Sequence, residues 1–478
     1  MRPDFPSFCD TTAKALLAFA VSFPAFASAM TTGDNALRFH IMLGGQHVGA
    51  AQWQWRAGGE QPYFADDQEL RIAQRGGGAG ASHRYRIERD PKTGALLVQR
   101  RLAAGPSVQE DEGRIEKGRL HLDRSLAGQS IGGDVPADAV MPYQLIGRLH
   151  DLALTTSRES AFPLFDLDGL RTTNARTAAC GENSAAGLHC VRLATPTRRE
   201  DWYFSADGRL QRIESEFAGL PMVMLRCESD CDRRVAQQFD VIGHLVVASP
   251  YRIPKDAAQK KLRFLLSRED GQTPVLVPTG DQLVVANGAQ AVVTVCRNCG
   301  EAEVPSAEEL ARYRQPNAWV QSDHAEIRRL AARVGSQKHS VDSRMRRSVA
   351  LMIKTLKPET GYIGYADALQ TLRLGRGDCI GHAMLLAALA RAQGIPARIV
   401  VGIAYADRFS GRRDVFSPHA WVQAWDGKRW ISYDSALQDF DSTHVALAIG
   451  DGNPNQVGEA FLQLSRLKLE RVGVVKPD

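Results

Sequence analysis

Three residues in the C-terminal part of the chain have the side-chain types that thiol-dependent acyl transfer requires. Cys379, His419 and Asp434 follow one another in the sequence. A cysteine thiolate is a nucleophile, an imidazole can take its proton, and a carboxylate can orient the imidazole. Each type also has an ordinary structural use, as a small buried residue, a surface ring or a turn residue. Whether the three act together therefore depends on the elements that carry them.

Cys379 is predicted to stand at the N-terminus of a buried helix. Asp378 is a favourable N-cap, and an apolar helical stripe runs from Ala383 to Ala390. Gly394 closes the helix and Pro396 prevents its continuation. The partial positive charge of a helix N-terminus favours a thiolate, which is the nucleophilic form of cysteine.

His419 and Asp434 are predicted to be neighbours in a β-hairpin. Three strands and their connections follow the helix, in this order: strand Ala397–Tyr405, polar loop Asp407–Asp414, strand Pro418–Trp425, tight turn Asp426–Gly427 and strand Arg429–Asp434. His419 begins one strand of the hairpin and Asp434 ends the other. In an antiparallel pair these two positions lie side by side, so the carboxylate can orient the imidazole.

These segments resemble the transglutaminase-like superfamily, which has a papain-like α+β fold. The motifs that carry the resemblance are Gly377-Asp378-Cys379, the run from Leu389 through Gly402, His419-Ala420-Trp421-Val422, and Trp430 to Asp434. The resemblance implies that Cys379 is the nucleophile, His419 the base and Asp434 the orienting acid. It implies acyl transfer or hydrolysis at an amide bond of a protein or peptide, with no metal or organic cofactor. Gly381 stands where relatives often carry an acidic residue.

A different enzyme class also fits one of the motifs. Gly377-x-Cys379-x-Gly381 matches a nucleophile elbow with cysteine in place of serine. That motif needs a preceding strand and the order nucleophile, acid, histidine, whereas His419 precedes Asp434 here. The α/β-hydrolase fold is therefore the weaker interpretation. For an oxyanion hole, the backbone N–H of Cys379 is one candidate donor and Tyr365 is a second.

The competing functional hypothesis is a catalytically silent module. A transglutaminase-like domain can serve as a binding module in a cell-envelope assembly, with the β-rich N-terminal half holding the partner. Loss of a triad residue would be expected in that case, and all three are present. The sequence therefore favours the enzyme, without separating water from an amine as the acyl acceptor.

Residues 1–29 have the pattern of a secretory signal peptide. Arg2 and Lys14 precede an apolar run from Ala15 to Phe26, and Ala27-Ser28-Ala29 supplies the small residues of a cleavage site. A buried helix is the alternative, but Pro24 and the small-residue ending suit cleavage better. We expect export across the inner membrane to the periplasm.

The cysteine spacing agrees with an oxidising compartment. Six cysteines form three close pairs, which are Cys180 with Cys190, Cys227 with Cys231, and Cys296 with Cys299. Local disulfides are the simplest interpretation and leave Cys379 unpaired. A zinc site built from the second and third pairs is an alternative. A redox role for the third pair is weaker, because no βαβ pattern surrounds it.

Composition and patterning give the fold class. The 478 residues carry a net charge of +5, which argues against nucleic acid as the main partner, and no apolar stretch is long enough to span a membrane. Short alternating segments such as Leu37–Met42 predict strands, with one helix near Pro142–Leu152 and helices over 322–357. We predict an α+β protein in which mostly antiparallel β domains precede the transglutaminase-like domain. The predicted division is signal peptide 1–29, β-rich domain 30–245, small β-rich module 246–315 and transglutaminase-like domain 316–478.

Overall fold

The computed structural model describes residues 35–476, with gaps at 75–76, 105–106, 125–129, 156–157, 168–169, 181–186, 197, 218, 229–230, 232–240, 298, 301–303, 336–337, 359–365, 454–459 and 461–462. The predicted signal peptide and Tyr365 lie outside the described residues. Among the helices that are described, none is long and apolar enough to cross a membrane.

A large antiparallel sheet fills the N-terminal half of the described chain. Its strands are β1 (Asn35–Leu43), β2 (Gln46–Arg56), β3 (Tyr63–Gln74), β4 (Gly77–Arg89), β5 (Leu96–Ala104), β6 (Ser107–Glu116), β7 (Arg119–Arg124), β8 (Ser130–Asp134), β9 (Ser160–Asp166), β10 (Arg171–Ala179), β11 (Leu188–Ala194), β12 (Arg199–Ser205), β13 (Leu210–Phe217) and β14 (Leu220–Cys227). Two meanders, β1 to β8 and β9 to β14, join through the pairing of β1 with β14.

The core of this half lies on one face of the sheet. In β1 the alternate residues Leu37, Phe39, Ile41 and Leu43 are buried, as the period of two of a half-buried strand requires. Helix α1 (Pro142–Leu154) connects β8 to β9 and buries one apolar stripe, including Leu149. This is the helix expected near Pro142–Leu152, and its packing covers part of the sheet's apolar face.

The remaining elements follow in chain order. They are α2 (Val241–His244), β15 (Val247–Ala248), α3 (Lys255–Ala258), β16 (Leu262–Arg268), β17 (Gln282–Asn287), β18 (Gln290–Val295), α4 (Ala307–Arg312), α5 (Ala325–Ala332), α6 (Val341–Thr355), β19 (Lys357–Pro358), α7 (Ala368–Leu374), β20 (Arg376–Gly377), α8 (Cys379–Ala392), β21 (Ala397–Phe409), β22 (Arg412–Trp425), β23 (Trp430–Tyr433), β24 (Val445–Gly450) and β25 (Leu467–Val474). The fold is therefore α+β, with mostly antiparallel strands before the C-terminal mixture of helices and strands.

Two further antiparallel sheets carry the C-terminal half. One has the order β15-β22-β21-β24, with β23 added to β22, and α8 packs against it. The other has the order β17-β18-β16-β25, so the last strand of the chain completes a sheet begun two hundred residues earlier in the sequence. The sequence gives no sign of this long-range pairing, and the predicted domain limits remain predictions.

The connection between β21 and β22 differs from the expected loop at Asp407–Asp414. The two strands continue to Phe409 and Arg412 and are joined by Ser410 and Gly411 alone. Both residues have positive φ, 45° and 77°, as a two-residue type I′ turn requires. His419 consequently lies inside a long strand rather than at its beginning.

The cysteine pairing is as predicted. Disulfides join Cys180 to Cys190, Cys227 to Cys231 and Cys296 to Cys299, and Cys379 is free. The second and third pairs are therefore closed, which removes the thiolates that the alternative zinc site would need.

Close packing between α7 and α8 explains the glycine at position 381. A Cβ atom on Gly381 would lie 2.7 Å from Oγ1 and 3.3 Å from Cγ2 of Thr371, which is fully buried. Gly377 is limited by the same side chain, because its Cβ would lie 2.9 Å from Cγ2 of Thr371. An acidic residue at position 381 would therefore collide with α7, so the glycine is a packing requirement of this chain.

We predict that Gly381→Ala lowers the stability by about 1–3 kcal/mol, as overpacking of a buried contact does. Thr371→Ala removes both colliding atoms, so the cost of Gly381→Ala should shrink in that background. Gly147→Ala is the matched control, because Gly147 is an exposed helical glycine with open space around its Cβ position. It should be neutral or stabilising by up to ~1 kcal/mol. Melting temperatures of the four variants test this, and equal costs at positions 381 and 147 would contradict it.

Candidate active site

The N-terminus of α8 carries Cys379 as its first residue. Asp378 caps the helix, since its Oδ1 accepts hydrogen bonds from the backbone N–H groups of Ile380 and Gly381, both at 3.1 Å. Every residue from Ile380 to Arg391 is buried. The predicted helix and its cap are therefore present, and burial of the helix fixes the position of the thiol.

His419 and Asp434 form a short buried hydrogen bond. His419 Nε2 lies 2.7 Å from Asp434 Oδ2, and both side chains are almost fully inaccessible to solvent. Val422 of β22 pairs with Tyr433 of β23, so the chain that follows Tyr433 runs back along β22 towards His419. The hairpin thereby brings the two residues together across fifteen positions of sequence.

The thiol of Cys379 lies against the strand that carries His419. The backbone N–H of Ala420, the residue after His419, forms a hydrogen bond to the Cys379 sulfur that favours the thiolate. The sequence-predicted residues Cys379, His419 and Asp434 thus occupy one region, where the start of α8 meets β22 and the end of β23.

The protonation of Asp434 sets the tautomer of His419. Burial by itself raises the pKa of the Asp434 carboxyl, but His419 and His444 outweigh it and hold that pKa well below its usual range. Asp434 is therefore ionised at neutral pH and can only accept hydrogen bonds. His419 must donate from Nε2, so in the neutral ring Nδ1 carries no proton and is the nitrogen that can act as a base.

The electrostatics around Cys379 oppose the expectation of a stabilised thiolate. Burial raises the pKa of the Cys379 thiol, and the carboxylates of Asp378 and Asp434 raise it further. The backbone N–H groups of Ala420 and Ile380 act in the other direction but do not compensate. The helix N-terminus therefore does not suffice to ionise this cysteine, because the thiol is desolvated and lies beside a negatively charged cap.

Comparison with known proteins assigns this region to a family. Residues 328–435 match the family model of the transglutaminase-like superfamily. The chain contains a transglutaminase-like domain. The matched residues run from α5 to the residue after Asp434 and amount to less than a quarter of the chain.

Three other proteins resemble parts of the chain. An uncharacterised protein of Mycobacterium leprae is 33% identical over 90 residues, which are 18% of this chain and 32% of that protein. The chain thus matches about a third of the length of this relative. The periplasmic domain of TgpA from Pseudomonas aeruginosa has a TM-score of 0.27 and 16% identity, covering 61% of this chain and 92% of that one. A β-barrel-like protein of a domain of unknown function from Brucella abortus has a TM-score of 0.31 and 10% identity, covering 40% and 95%.

A second histidine, His444, completes the hydrogen bonding of Asp434. His444 Nε2 lies 3.0 Å from Asp434 Oδ2, and His444 Nδ1 lies 3.2 Å from Asp441 Oδ1. The other oxygen of Asp434 accepts backbone N–H bonds from Ala436 at 2.7 Å and Leu437 at 3.1 Å. The Asp434 carboxylate therefore has four donors, and His444 lies beyond the residues that match the transglutaminase-like family.

The two carboxylates make the imidazole of His444 unusually basic. Burial lowers its pKa, but hydrogen bonds to Asp434 and Asp441 and the charges of both carboxylates raise it to about 10. His444 is therefore an imidazolium at neutral pH. The positive charge of His444 therefore partly offsets the negative charge of the Asp434 carboxylate, which also accepts the hydrogen bond of His419.

His444 reaches this position because of a glycine in β21. Gly402 pairs with His419 of β22 on one side and with Ala446 of β24 on the other. A Cβ atom at Gly402 would lie 2.0 Å from the backbone oxygen of Val445. Only glycine permits this approach of β24, which brings the rings of His419 and His444 to a centroid separation of 5.4 Å. No local sequence motif marks His444, so its contact with Asp434 could not be predicted from the sequence.

A third buried histidine, His382, lies near His419 and Asp434. The sequence gives no sign of its position. It lies one turn after Cys379 on α8, and its Nδ1 is 3.0 Å from the hydroxyl of Ser435. Burial lowers the pKa of His382 to about 4, in spite of the attraction of Asp434. His382 is therefore neutral at pH 7, in contrast to His444.

The histidine and aspartate side chains also have the donor types that bind a metal ion. One atom from each of His419, Asp434 and His444 lies within 4.8 Å of the others. Because Asp434 Oδ2 is already at hydrogen-bond distance from both rings, the arrangement is that of a hydrogen-bonded chain. Trp421 stacks on His419 and meets His444 edge-on, which excludes water from this chain.

We predict that removing the charge of Asp378 makes Cys379 more reactive. Asn and Ser cap helices about as well as Asp, so Asp378→Asn and Asp378→Ser should retain α8 while lowering the thiol pKa. Iodoacetamide labelling of Cys379 near pH 7.5, followed by mass spectrometry, should be at least roughly threefold faster in both variants. Unchanged or slower labelling in both, with folding intact, would show that the cap charge does not control the thiol.

We predict opposite pH dependences for the stability contributions of His444 and His382. The folded-state pKa of His444 is raised, so its contribution is fully present below the unfolded pKa of about 6.5 and is lost as pH rises towards about 10. The folded-state pKa of His382 is lowered, so its contribution is present above about 6.5 and is lost as pH falls towards about 4.

Melting temperatures of the wild type, His444→Gln and His382→Gln between pH 4 and pH 10 measure both effects. The gap between wild type and His444→Gln should be widest near pH 6 and narrow with rising pH. The gap for His382→Gln should narrow with falling pH. The loss from His444→Gln near neutrality should be on the order of 3–5 kcal/mol, because the buried carboxylate of Asp434 and the partly buried one of Asp441 lose their partner. A gap for His444→Gln that stays constant from pH 6 to pH 10 would contradict a charged His444.

Proposed function

We propose that this protein is an exported thiol enzyme that cleaves or transfers acyl groups at amide bonds of a protein or peptide. Cys379 is the proposed nucleophile, His419 the base and acid, and Asp434 the residue that orients His419. The observation that carries the proposal is the buried 2.7 Å hydrogen bond from His419 Nε2 to Asp434, because it leaves Nδ1 as the basic nitrogen of a histidine whose neighbour Ala420 contacts the Cys379 sulfur.

The proposed reaction has two halves. In the first, the Cys379 sulfur attacks the amide carbonyl carbon as its proton passes to Nδ1 of His419, and the backbone N–H of Cys379 is a donor for the oxyanion. The tetrahedral intermediate collapses when His419 returns the proton to the leaving amine, which gives an acyl-thioester. In the second, His419 takes a proton from water or from an amine as it attacks the thioester carbon. The C–S bond then breaks, His419 returns the proton to the Cys379 sulfur, and the acid or the new amide is released.

The raised pKa of Cys379 is compatible with this route. Direct transfer of the proton to His419 during attack does not require a standing population of thiolate, since the developing charge is shared with an imidazolium held by Asp434. Papain-like nucleophiles that label well below pH 8.5 use a pre-formed ion pair instead. We therefore expect slow alkylation at neutral pH in the absence of substrate.

The same raised pKa supports a second candidate function. In a cell-envelope assembly, the transglutaminase-like domain would serve as a catalytically silent binding module, and the β-rich N-terminal half would hold a protein partner. A thiol with a raised pKa beside the Asp378 carboxylate would then be an ordinary, partly buried cysteine. Turnover, rather than thiol labelling, distinguishes this candidate from the enzyme.

Location and domain organisation are part of the proposal. The three disulfides support folding in an oxidising compartment, and the pattern of residues 1–29 supports export across the inner membrane to the periplasm. We propose domain limits of 30–245, 246–315 and 316–478 for the exported chain. Substrate or partner would be a protein or peptide of the cell envelope.

We predict turnover of generic amide substrates that depends on the proposed triad. A blocked glutaminyl-glycine dipeptide with hydroxylamine measures transfer, and a fluorescent casein digest measures hydrolysis. Cys379→Ala and His419→Ala should abolish either activity, and Asp434→Asn should lower it by at least roughly a hundredfold, because the wrong tautomer of His419 is then held. His382→Gln serves as a control for a neutral buried histidine in the same cluster.

Two outcomes would decide between the candidates. An acyl-enzyme mass increment on Cys379, absent in His419→Ala, would support the enzyme. No turnover and no acyl-enzyme with either substrate class, in a folded protein, would support the silent module.

A further inference from the structure

A second feature of the molecule lies in the β-rich half, far along the sequence from Cys379. A cavity of about 620 Å³ lies against the large sheet, beneath α1, and is bounded by strands β2, β3, β4, β9 and β12 to β14, with Arg268 of β16 and Arg466 also in its lining. Volumes of roughly 300–1,000 Å³ are typical of sites for small molecules. The cavity is therefore large enough to bind an organic ligand.

The inner part of the cavity is apolar and aromatic. Trp53 and Trp202 lie beside each other in its wall, with ring centroids 5.7 Å apart, and both are buried. Phe64, Phe165 and Met224 continue this surface. Such a lining favours an apolar chain and gives little to a strongly hydrated ligand.

One hydrogen-bond donor in this wall has no partner. Trp53 is 8% exposed, and among the described residues its indole Nε1–H meets no acceptor. The neighbouring Trp202 differs, because its Nε1–H donates to Glu200 Oε2 at 3.0 Å. A buried donor without an acceptor has an energetic cost, because it has lost its hydrogen bond to water. The Nε1 atom is enclosed by its neighbours, so a ligand that turns the indole and places an oxygen beside Nε1 would remove this cost.

The outer part of the cavity is charged. Arg198, Arg199, Arg268 and Arg466 line it, with Glu216 and Glu200 among them. Arg466 is paired with Glu216 and with Asp270, and the Arg466 side chain is still 38% exposed. The lining thus changes from buried aromatic side chains to solvent-accessible charges of both signs, as an amphipathic ligand requires.

We propose that this cavity binds an acyl-chain amphiphile. The hydrocarbon chain lies along Trp53, Trp202 and Met224, a carbonyl oxygen of the acyl group accepts the indole N–H of Trp53, and the polar end lies among the arginines. The shared chemistry is an acyl carbonyl on an apolar chain, whether it comes from a free fatty acid or from the ester of a phospholipid.

An acidic side chain inside the cavity suggests the rival ligand to be tested. Asp66 is buried, accepts a hydrogen bond from Gln68 Nε2 at 3.0 Å and lies 3.7 Å from His83 Nε2. In the sheet it pairs with Trp53 on one side and with Tyr85 on the other. A carboxylate between aromatic rings is also a setting for an organic cation, so a cationic amphiphile of equal chain length is the necessary comparison.

Isothermal titration calorimetry of the purified full chain tests the proposal with three probes of twelve carbons. Dodecanoate has a free carboxylate, dodecanoyl-lysophosphatidylcholine has an ester carbonyl, and dodecyltrimethylammonium has a cation and no acceptor. All are used below their critical micelle concentrations. Binding of either acyl probe at least tenfold tighter than the cation is expected, and which of the two binds more tightly identifies the source of the chain.

Variants locate the bound probe. Trp53→Phe keeps an aromatic ring but removes the donor, so Kd for the acyl probe should rise roughly fivefold. Trp202→Phe is the matched control, because its donor is already satisfied by Glu200, and Kd should change less than twofold. Met222→Trp fills the cavity and should weaken binding at least tenfold. Melting temperatures verify that each variant is folded.

Three results would overturn the proposal. One is the absence of heat with both acyl probes. Another is binding of the cationic probe as tight as that of the acyl probes, which would assign the site to Asp66. The third is equal affinity in the wild type, Trp53→Phe and Met222→Trp, which would place the chain elsewhere on the protein.

Discussion

The buried carboxylate of Asp434 is the constraint on which the candidate site depends. An ionised carboxylate without solvent is very unfavourable unless donors surround it. Four donors do so here, from His419, His444 and the backbone of Ala436 and Leu437. His419 lies in β22 and His444 directly precedes β24, and these two strands flank β21, so the stability of the charge and the architecture of the sheet depend on each other.

Packing at two glycines makes this arrangement possible. Gly402 lets β24 approach β21 closely enough for His444 to reach Asp434, and Gly381 lets α8 pack against Thr371 of α7 with Cys379 at its beginning. Neither glycine has a positive φ, so backbone conformation does not explain why these two positions are glycine. Both are required by the space that a Cβ atom would occupy, which is a property of the assembled domain.

The sequence predicts the parts of the fold that are encoded locally. The helix from Cys379, its cap at Asp378, the hairpin that carries His419 and Asp434, and the three disulfides each depend on residues close in sequence. The contribution of His444 and the addition of β25 to the sheet of β16 depend on pairings between distant segments, for which a single sequence has no periodic signal. The interior cavity is likewise invisible, since Trp53 and Trp202 are indistinguishable from ordinary core residues until the sheet closes around them.

The position of charges around Cys379 changes how its reactivity must be understood. A helix N-terminus lowers a thiol pKa by its partial charge, which acts mainly within the first turn, whereas desolvation of the thiol raises that pKa. Here burial and the full negative charges of Asp378 and Asp434 act on the same sulfur, and they prevail. Asp434 thus has two opposed effects in the proposed mechanism, because it disfavours a free thiolate while it would stabilise the imidazolium formed when His419 takes the proton. His444, itself positively charged, reduces the first effect by offsetting the carboxylate. In the proposed mechanism, ionisation of Cys379 is therefore coupled to protonation of His419, and the basic nitrogen of this histidine, more than the helix N-terminus, makes the sulfur a nucleophile.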